Sequence, residues 1–181
     1  MQPSALTPEN SAVVMIDHAV GFGNVFRSHD LSLHVNNTVG LAKTAGVFGI
    51  PLVLTNGADT GPYGPLFSEL RAETGDWRVI VREGNFINEG CVLGSALAGL
   101  ERGYEVYLAV DATAGETLEV HQVAVQRMIQ VGVVPVTWLS LASQYQGSCT
   151  NHETVQGFLS LMTQHSAAFG MLFQGQAVRA R

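Results

Sequence analysis

A cysteine stands at the start of an apolar helical pattern in the middle of the chain. In the stretch INEGCVLGSAL, Cys91 follows Gly90 and precedes apolar residues that recur at helical spacing as far as Leu100. The amide N–H groups of a helix N-terminus carry partial positive charge, which stabilises a thiolate and lowers the pKa of a cysteine into the reactive range. Cys91 is therefore a candidate nucleophile, and the alternative is a small buried apolar residue.

A carboxylate ends the first apolar run of the chain. AVVMID, residues 12–17, has the continuous apolar pattern of a buried parallel strand and ends in Asp17. Ligands of parallel sheets bind outside the carboxyl ends of the strands, so Asp17 is a second candidate for chemistry. A strand-terminal aspartate can instead cap a loop or the next helix.

The elements that must position these side chains alternate along the chain. The predicted strands are AVVMID, PLVLT, RVIV, YEVYLAVDA and VVPVTW. The predicted helices are Leu31 to Phe48 with Gly49 as a stop, LFSELRAE, the helix from Cys91 to Gly103, ETLEVHQVAVQRMIQVG, and weaker ones within LSLASQYQ and residues 154–165. Strands separated by such helices imply βαβ units, so we predict one α/β domain over residues 1–181, a three-layer α/β/α sandwich with a mainly parallel, Rossmann-like sheet.

Composition narrows the classes of partner. Charged residues are only 13% of the chain and hydrophobic residues 46%, where about 25% charged residues is usual. This favours a homo-oligomer that hides surface; the alternative is a glycine-rich, weakly charged monomer. A net charge of −6 with a single lysine argues against nucleic acid.

No signal peptide pattern and no apolar run long enough for a membrane span occur in the sequence. We therefore expect a cytoplasmic protein with no membrane partner. In a reducing compartment both cysteines would be free thiols, and Cys149, in QGSCTNHE, is interpreted as structural because it lacks the setting of Cys91.

Four segments together carry a family resemblance. VVMIDHAVG, TGPYGPLFSEL, EGCVLGSALAGLERGYEVYLAVDAT and HQVAVQRMIQVGVVPVTW resemble the isochorismatase-like cysteine hydrolase superfamily, in particular its YcaC-like subgroup. The resemblance implies a three-layer α/β hydrolase that cleaves C–N bonds of small amide-like substrates, or an enol ether in isochorismatase itself. The machinery of that family is an Asp, a Lys and a nucleophilic Cys, and Asp17 and Cys91 match the first and the third.

The resemblance implies a catalytic cycle for these side chains. Asp17 takes the thiol proton, the thiolate of Cys91 attacks a carbonyl carbon, and a thioester forms. Backbone N–H groups of Gly90 and Cys91 would stabilise the oxyanion. Asp17 then returns the proton to the amine and activates the water that hydrolyses the thioester. The six histidines show no metal-ligand spacing, so we predict neither a metal nor another cofactor.

An arginine stands where the family has its lysine. Arg82 follows the RVIV strand directly, whereas the single lysine, Lys43, lies mid-helix, where a surface role is expected. Arginine supplies positive charge but does not give up a proton at working pH, so we assign Arg82 electrostatics only. The alternative is a structural ion pair with Glu83 or Glu89.

The connection before Cys91 is short. In the family a helix and a further strand lie between the lysine-bearing strand and the nucleophile, but here only residues 83–90 join Arg82 to Cys91. One βα unit of roughly 25 residues is therefore predicted to be absent. Either RVIV has become the strand that feeds the nucleophile, or a segment is missing from the sequence.

Three phenylalanines are candidates to line a substrate pocket: Phe22, Phe26 and Phe86 each lie in a loop beside a proposed catalytic residue, although core or interface packing would also explain them.

A dinucleotide fingerprint around Gly21 is incomplete, and no G-x-S-x-G elbow occurs. The alternative to a hydrolase is a catalytically decayed family member that acts as a structural or small-molecule-binding subunit of a homo-oligomer.

Overall fold

Short strands and longer helices alternate along the chain in the computed structural model, which describes residues 6–82 and 88–172. The strands are β1 (Val13–Ile16), β2 (Leu52–Asn56), β3 (Val79–Val81), β4 (Tyr107–Ala109) and β5 (Val134–Val136). The helices are α1 (Val20–Gly23), α2 (Leu31–Phe48), α3 (Ser68–Thr74), α4 (Asn88–Glu101), α5 (Leu118–Gln130), α6 (Trp138–Gln146) and α7 (Val155–His165). Every predicted helix and strand has its counterpart, and α1 is an addition that is too short to leave a periodic signal.

Helix α2 has the bounds that its apolar periodicity and its flanking residues predict. The Asp30 side chain accepts a hydrogen bond from the backbone N–H of Leu33, which satisfies one of the free donors of the first turn. At the other end Gly49 adopts a left-handed conformation with φ 66°, which glycine reaches without the steric cost of a Cβ. The long central helix is therefore specified locally at both ends.

The strands pair in parallel, as predicted, but they form two sheets among the described residues. One sheet has the order β1-β2-β3, with Val13 beside Leu52 and Leu54 beside Val79. The other consists of β4 and β5, with Tyr107 beside Val134. The α/β class is confirmed, and the sheet is interrupted between β1 and β4.

The position of β3 bears on the short connection before Cys91. Strand β3 precedes α4 in the chain but pairs with the outer edge of β2, so it does not lie beside the free edge of β1. RVIV has therefore not moved into the middle of the sheet. The absent βα unit stays a prediction from the sequence.

The helices form two groups around the strands. Helix α2 packs against α3, α6 and α7, whereas α4 packs against α5. The first group shares a core that includes Phe48, Trp138 and Leu161, and the second buries Leu108 and Met128 beneath α4 and α5. These layers bring the carboxyl ends of β1, β2 and β3 to one edge, next to the start of α4. Within the described ranges, no helix has the length and apolarity that a membrane span requires.

Candidate active site

Three polar residues lie side by side where the strands of the first sheet end. Asp17 follows β1, Asn56 ends β2 and Arg82 follows β3. The parallel ladder continues to this edge, because the N–H of Asp17 donates to the Thr55 carbonyl at 3.0 Å and the N–H of Arg82 donates to the Asn56 carbonyl at 2.9 Å. Sheet pairing thus sets the spacing of the three side chains.

The backbone at Asp17 turns sharply. Its φ is 57°, in the left-handed region that residues other than glycine rarely adopt. Backbone hydrogen bonds hold the turn from outside: Val20 N–H donates to the Pro65 carbonyl at 3.0 Å, and Phe67 N–H donates to the His18 carbonyl at 2.9 Å. A strained conformation that the surrounding loops enforce is typical of functional sites.

A glycine allows the two loops to approach so closely. The N–H of Gly21 donates to the Tyr63 carbonyl at 2.8 Å, and a Cβ at Gly21 would lie 2.7 Å from Tyr63 backbone atoms. No side chain fits there without displacing the Tyr63 loop. The next residue, Phe22, stacks on the Tyr63 ring with centroids 4.2 Å apart.

Cys91 reaches the same edge from the opposite direction. It lies buried in the first turn of α4, which begins at Asn88. Its thiol is hydrogen-bonded to the carboxylate of Asp17 and to the guanidinium of Arg82, and the Nη2 of Arg82 forms an ion pair with the Oδ2 of Asp17. The three residues predicted as catalytic therefore meet, although up to 74 residues separate them in the sequence.

The protonation state of Cys91 differs from the sequence-based expectation. Burial raises the pKa of the Cys91 thiol above its usual value, the Asp17 carboxylate raises it further, and Arg82 acts in the opposite direction. The prediction that the helix start lowers the pKa of Cys91 is wrong. Desolvation and the adjacent Asp17 carboxylate raise this pKa by more than the positive charge of Arg82 lowers it. The resting pair is a neutral thiol that donates to a carboxylate.

Arg82 is the cation of the site. Burial alone would lower the pKa of Arg82, but its bonds to Asp17 and Cys91 outweigh that effect, and its pKa is raised. The sequence analysis considered Glu83 or Glu89 as the ion-pair partner of Arg82, and in the structure Arg82 forms an ion pair with Asp17. Glu83 lies outside the described residues.

Several polar atoms at this edge are buried without a hydrogen-bond partner among the described residues. They are Asp17 Oδ1, Asn56 Oδ1 and Arg82 Nε. Buried polar atoms are usually satisfied, and exceptions cluster where a protein has a chemical role. Of these, Asp17 Oδ1 belongs to a residue that lines a cavity, so it is available to a bound molecule.

A large cavity opens next to these residues. Its volume is about 1020 Å³, and Asp17, His18, Phe22 and Phe26 line it where it meets the active-site edge. Both phenylalanines are buried, and Phe26 also packs in the core against Met15 and Leu54. The structure therefore places Phe22 and Phe26 at the cavity, whereas Phe86 lies outside the described residues.

Sequence reasoning missed three residues near the site. His34, buried on α2, lies between the rings of Phe26 and Phe67, with centroid distances of 4.7 and 6.1 Å. Asn56 directly follows the predicted strand PLVLT, and a polar residue at a strand end, as with Asp17, is a signal that could have found it. No sequence signal points to Tyr63, because only the packing of the two loops brings its ring next to Phe22.

Other residues lie away from the site. Lys43 on α2 donates to Gln164 at 2.7 Å and lies 3.7 Å from Glu73, which agrees with its predicted surface role. Cys149 is exposed, so the prediction of a structural packing role for it is wrong.

Gly90 lies with Cys91 in the first turn of α4, where N–H groups lack intrahelical acceptors. Across residues 6–82 and 88–172, no cluster of three or more His, Cys, Asp or Glu side chains is arranged to hold a metal ion.

Known proteins share this fold and parts of this sequence. The isochorismatase domain model matches residues 86–140. The curated protein "probable hydrolase YcaC" of Escherichia coli strain K12 is 27% identical over 185 residues, covering 88% of each chain. Two solved structures superpose with TM-scores of 0.89 at 24% identity, each covering 98% of this chain and 99% of the other. They are YcaC from Pseudomonas aeruginosa, with hexane-2,5-diol and covalent acrylamide, and YcaC of Escherichia coli, an octameric hydrolase of unknown specificity.

Residues 86–140 thus resemble an isochorismatase domain, and the curated relative that the chain resembles over 88% of its length is a probable hydrolase. The chain is similar to YcaC over most of both sequences, and it shares the fold of the two solved YcaC structures.

Proposed function

We propose that the chain is a cysteine hydrolase that cleaves the C–N bond of a small amide-like substrate through a thioester. The single observation that carries the proposal is the mutual contact of Asp17, Arg82 and Cys91, which come from three separate elements. A thiol, a carboxylate and a fixed cation are the groups that acyl transfer to sulfur needs.

The chemistry follows from the resting state. Asp17 accepts the thiol hydrogen bond, so it is placed to take the proton as the sulfur attacks the carbonyl carbon. Arg82 favours the thiolate over the thiol during that step. The amide groups of Gly90 and Cys91 stabilise the oxyanion, and Asp17 passes its proton to the leaving amine. A water that Asp17 deprotonates then hydrolyses the thioester and restores the thiol.

The pocket favours a small substrate with an apolar part. Phe22 and Phe26 supply apolar surface to the cavity that Asp17 also lines, and the Oδ1 of Asp17 offers an acceptor for an amide N–H. The covalent acrylamide in the Pseudomonas aeruginosa structure supports the choice of small primary amides as the first compounds to test. No cofactor takes part in the proposed steps.

The test uses 2-chloroacetamide, an electrophile with the size of a small amide. The protein carries Cys149→Ser, because the exposed Cys149 would otherwise react as well. We expect Cys91 to be alkylated at pH 7, with primary amides slowing the reaction by competition, and a substrate amide to leave an acyl group on Cys91 after acid quench. The matched control Cys91→Ser with Cys149 retained should lose turnover by about 10⁴-fold or more.

A decayed site is the alternative function, and two observations favour it: the raised pKa of Cys91 and the interrupted sheet. Resistance of Cys91 to chloroacetamide at pH 7, with Cys149 reacting normally in the control protein, would contradict the hydrolase and leave a small-molecule-binding subunit.

We also propose that the chain forms a homo-oligomer. The outer edge of the first sheet exposes apolar side chains, with Trp77 49%, Ile80 50% and Val81 58% exposed. An exposed apolar edge strand is a pairing hazard unless another surface covers it, and the YcaC of Escherichia coli is an octamer. Sedimentation velocity is expected to show an assembly, and Ile80→Lys should weaken it; a monomer at micromolar concentration would contradict the proposal.

A further inference from the structure

One face of helix α2 borders the cavity beside the active site. His34 and Leu41 are two helical turns apart, so they lie on the same face of α2, and both line this cavity. Thr38, which lies between them on that face, is fully buried. Asp17 and His18 line the cavity as well. A long helix therefore holds the His34 side chain at the wall of the proposed substrate pocket.

Aromatic rings pack around His34 on the protein side. Its ring stacks on that of His18, with centroids 5.7 Å apart, and contacts the rings of Phe26 and Phe67. Both phenylalanines belong to the core that includes Leu54, and His34 itself is only 3% exposed. An apolar ring would pack equally well among these neighbours. Packing alone therefore does not explain why an imidazole occupies this position.

One nitrogen of this imidazole has no partner among the described residues. The Nδ1 of His34 is buried and forms no hydrogen bond there, whereas the Nδ1 of His18 lies 3.4 Å from the Thr38 hydroxyl. A buried polar atom without a partner destabilises the fold, and such atoms are found where a protein has a chemical role. Because His34 lines the cavity, a molecule bound there can supply the missing hydrogen bond.

The charge of His34 restricts the kind of group that fits. Burial lowers the pKa of His34 to about 3, and neighbouring histidines act in the same direction, so the ring is neutral at pH 7. A neutral imidazole has one N–H and one bare nitrogen, so Nδ1 can donate or accept. A hydroxyl group matches either form. The desolvation that opposes a charge on His34 also opposes a charged ligand group beside it.

We propose that His34 is a specificity-determining residue whose Nδ1 forms a hydrogen bond with an uncharged hydroxyl group of the substrate. The inference rests on the proposed function, which places the reacting amide at Cys91. The substrate class is then a small hydroxy amide. Its amide end lies at Cys91 and Asp17, its apolar middle contacts Phe22 and Phe26, and its hydroxyl end reaches His34. His34 positions the substrate and takes no part in the bond changes.

The test is a binding experiment on the full chain with Cys91→Ser, which prevents turnover. The ligands are 4-hydroxybutanamide and 5-hydroxypentanamide, and each is compared with the amide in which a methyl replaces the hydroxyl, pentanamide and hexanamide. For at least one pair we expect the hydroxy amide to bind about tenfold more tightly or better, because only the hydroxyl satisfies the buried nitrogen. Succinamic acid, which ends in a carboxylate, should bind more weakly than 4-hydroxybutanamide.

Two variants assign this preference to the imidazole. His34→Phe keeps an aromatic ring but removes both nitrogens. It should reverse the preference in favour of the methyl compound, because the hydroxyl would then be buried without a partner. His29→Phe is the matched control: the ring of His29 lies 6.2 Å from that of His34, but His29 is not among the described residues that line the cavity. The control should keep the preference for the hydroxy amide.

A spectroscopic measurement does not depend on the folding of His34→Phe. In the Cys91→Ser chain with ¹⁵N-labelled histidine, the hydroxy amide should shift the Nδ1 resonance of His34, and its methyl counterpart should not. A purely structural role of His34 would leave both resonances in place. The exposed His152 is the internal control, and its resonances should not move with either ligand.

Three results would overturn the proposal. They are equal or weaker binding of the hydroxy amide at both lengths, a preference that persists in folded His34→Phe, and an unshifted Nδ1 of His34 with the hydroxy amide bound. Failure of the hydrolase gives a different result, because chloroacetamide tests Cys91 alone. An unreactive Cys91 together with a hydroxyl preference that requires His34 would remove the hydrolase and keep the hydroxy-amide site.

Discussion

Asp17→Asn is expected to slow the reaction of Cys91 with chloroacetamide at pH 7 by about 10²- to 10³-fold and to reduce amide turnover at least as much. The carboxylate accepts the hydrogen bond of a thiol that is neutral at rest, because burial and Asp17 itself raise the pKa of Cys91. General-base removal of that proton contributes about 10²- to 10⁴-fold in enzymes. An amide side chain keeps the shape of the site but accepts no proton.

The sign of this effect discriminates between two roles of Asp17. If Asp17 acted only through its charge, its removal would lower the pKa of Cys91, and alkylation in Asp17→Asn would become faster. Asp59→Asn makes the same chemical change at an exposed loop position and should leave the rate unchanged. Both variants are measured in the Cys149→Ser background, with thermal unfolding as a check of folding. Faster alkylation would exclude Asp17 as the base.

Acidification from pH 7 to pH 5 is expected to reduce the free energy of unfolding by about 4 kcal/mol through the half-buried His18 and the buried His34. Burial lowers the pKa of His18 to about 4, although the charge of Asp17 opposes the change. Burial and the charges of neighbouring histidines lower the pKa of His34 to about 3. Since domains have about 5–15 kcal/mol of stability, this loss is large.

The direction follows from proton binding in the two states. In the unfolded chain both histidines take up a proton near pH 6.5, whereas in the folded chain they stay neutral down to about pH 4 and 3. The unfolded state therefore gains protons between these values, and stability falls as the pH drops below 6.5. At pH 5 each histidine contributes about 2 kcal/mol of the loss.

Urea unfolding at pH 7 and pH 5 measures this loss. His34→Phe keeps an aromatic ring beside Phe26 and Phe67 and should remove about half of the pH dependence. His152→Gln changes an exposed histidine and should leave it intact. Equal unfolding free energies at the two pH values would contradict the burial of neutral His18 and His34.

Local signals determined the elements of this protein and two of its candidate catalytic residues. The bounds of α2 follow from apolar periodicity, an Asp30 cap and a glycine stop, all of which act within a few residues. The placement of Asp17 after β1 and of Cys91 in the first turn of α4 follows in the same way. Hydrogen bonds and steric limits over short sequence distances are visible in the sequence because the interacting residues are neighbours there.

The tertiary structure alone decided how these parts interact. Arg82 pairs with Asp17 because β2 holds β1 and β3 in register, and no pattern near either residue specifies that contact. The raised pKa of Cys91 depends on burial by residues distant in sequence, which reverses the effect expected from the helix start. Among the described residues, β1 and β4 each keep one unpaired edge, and only the folded chain shows this. Strand pairing and desolvation depend on residues that are distant in the sequence.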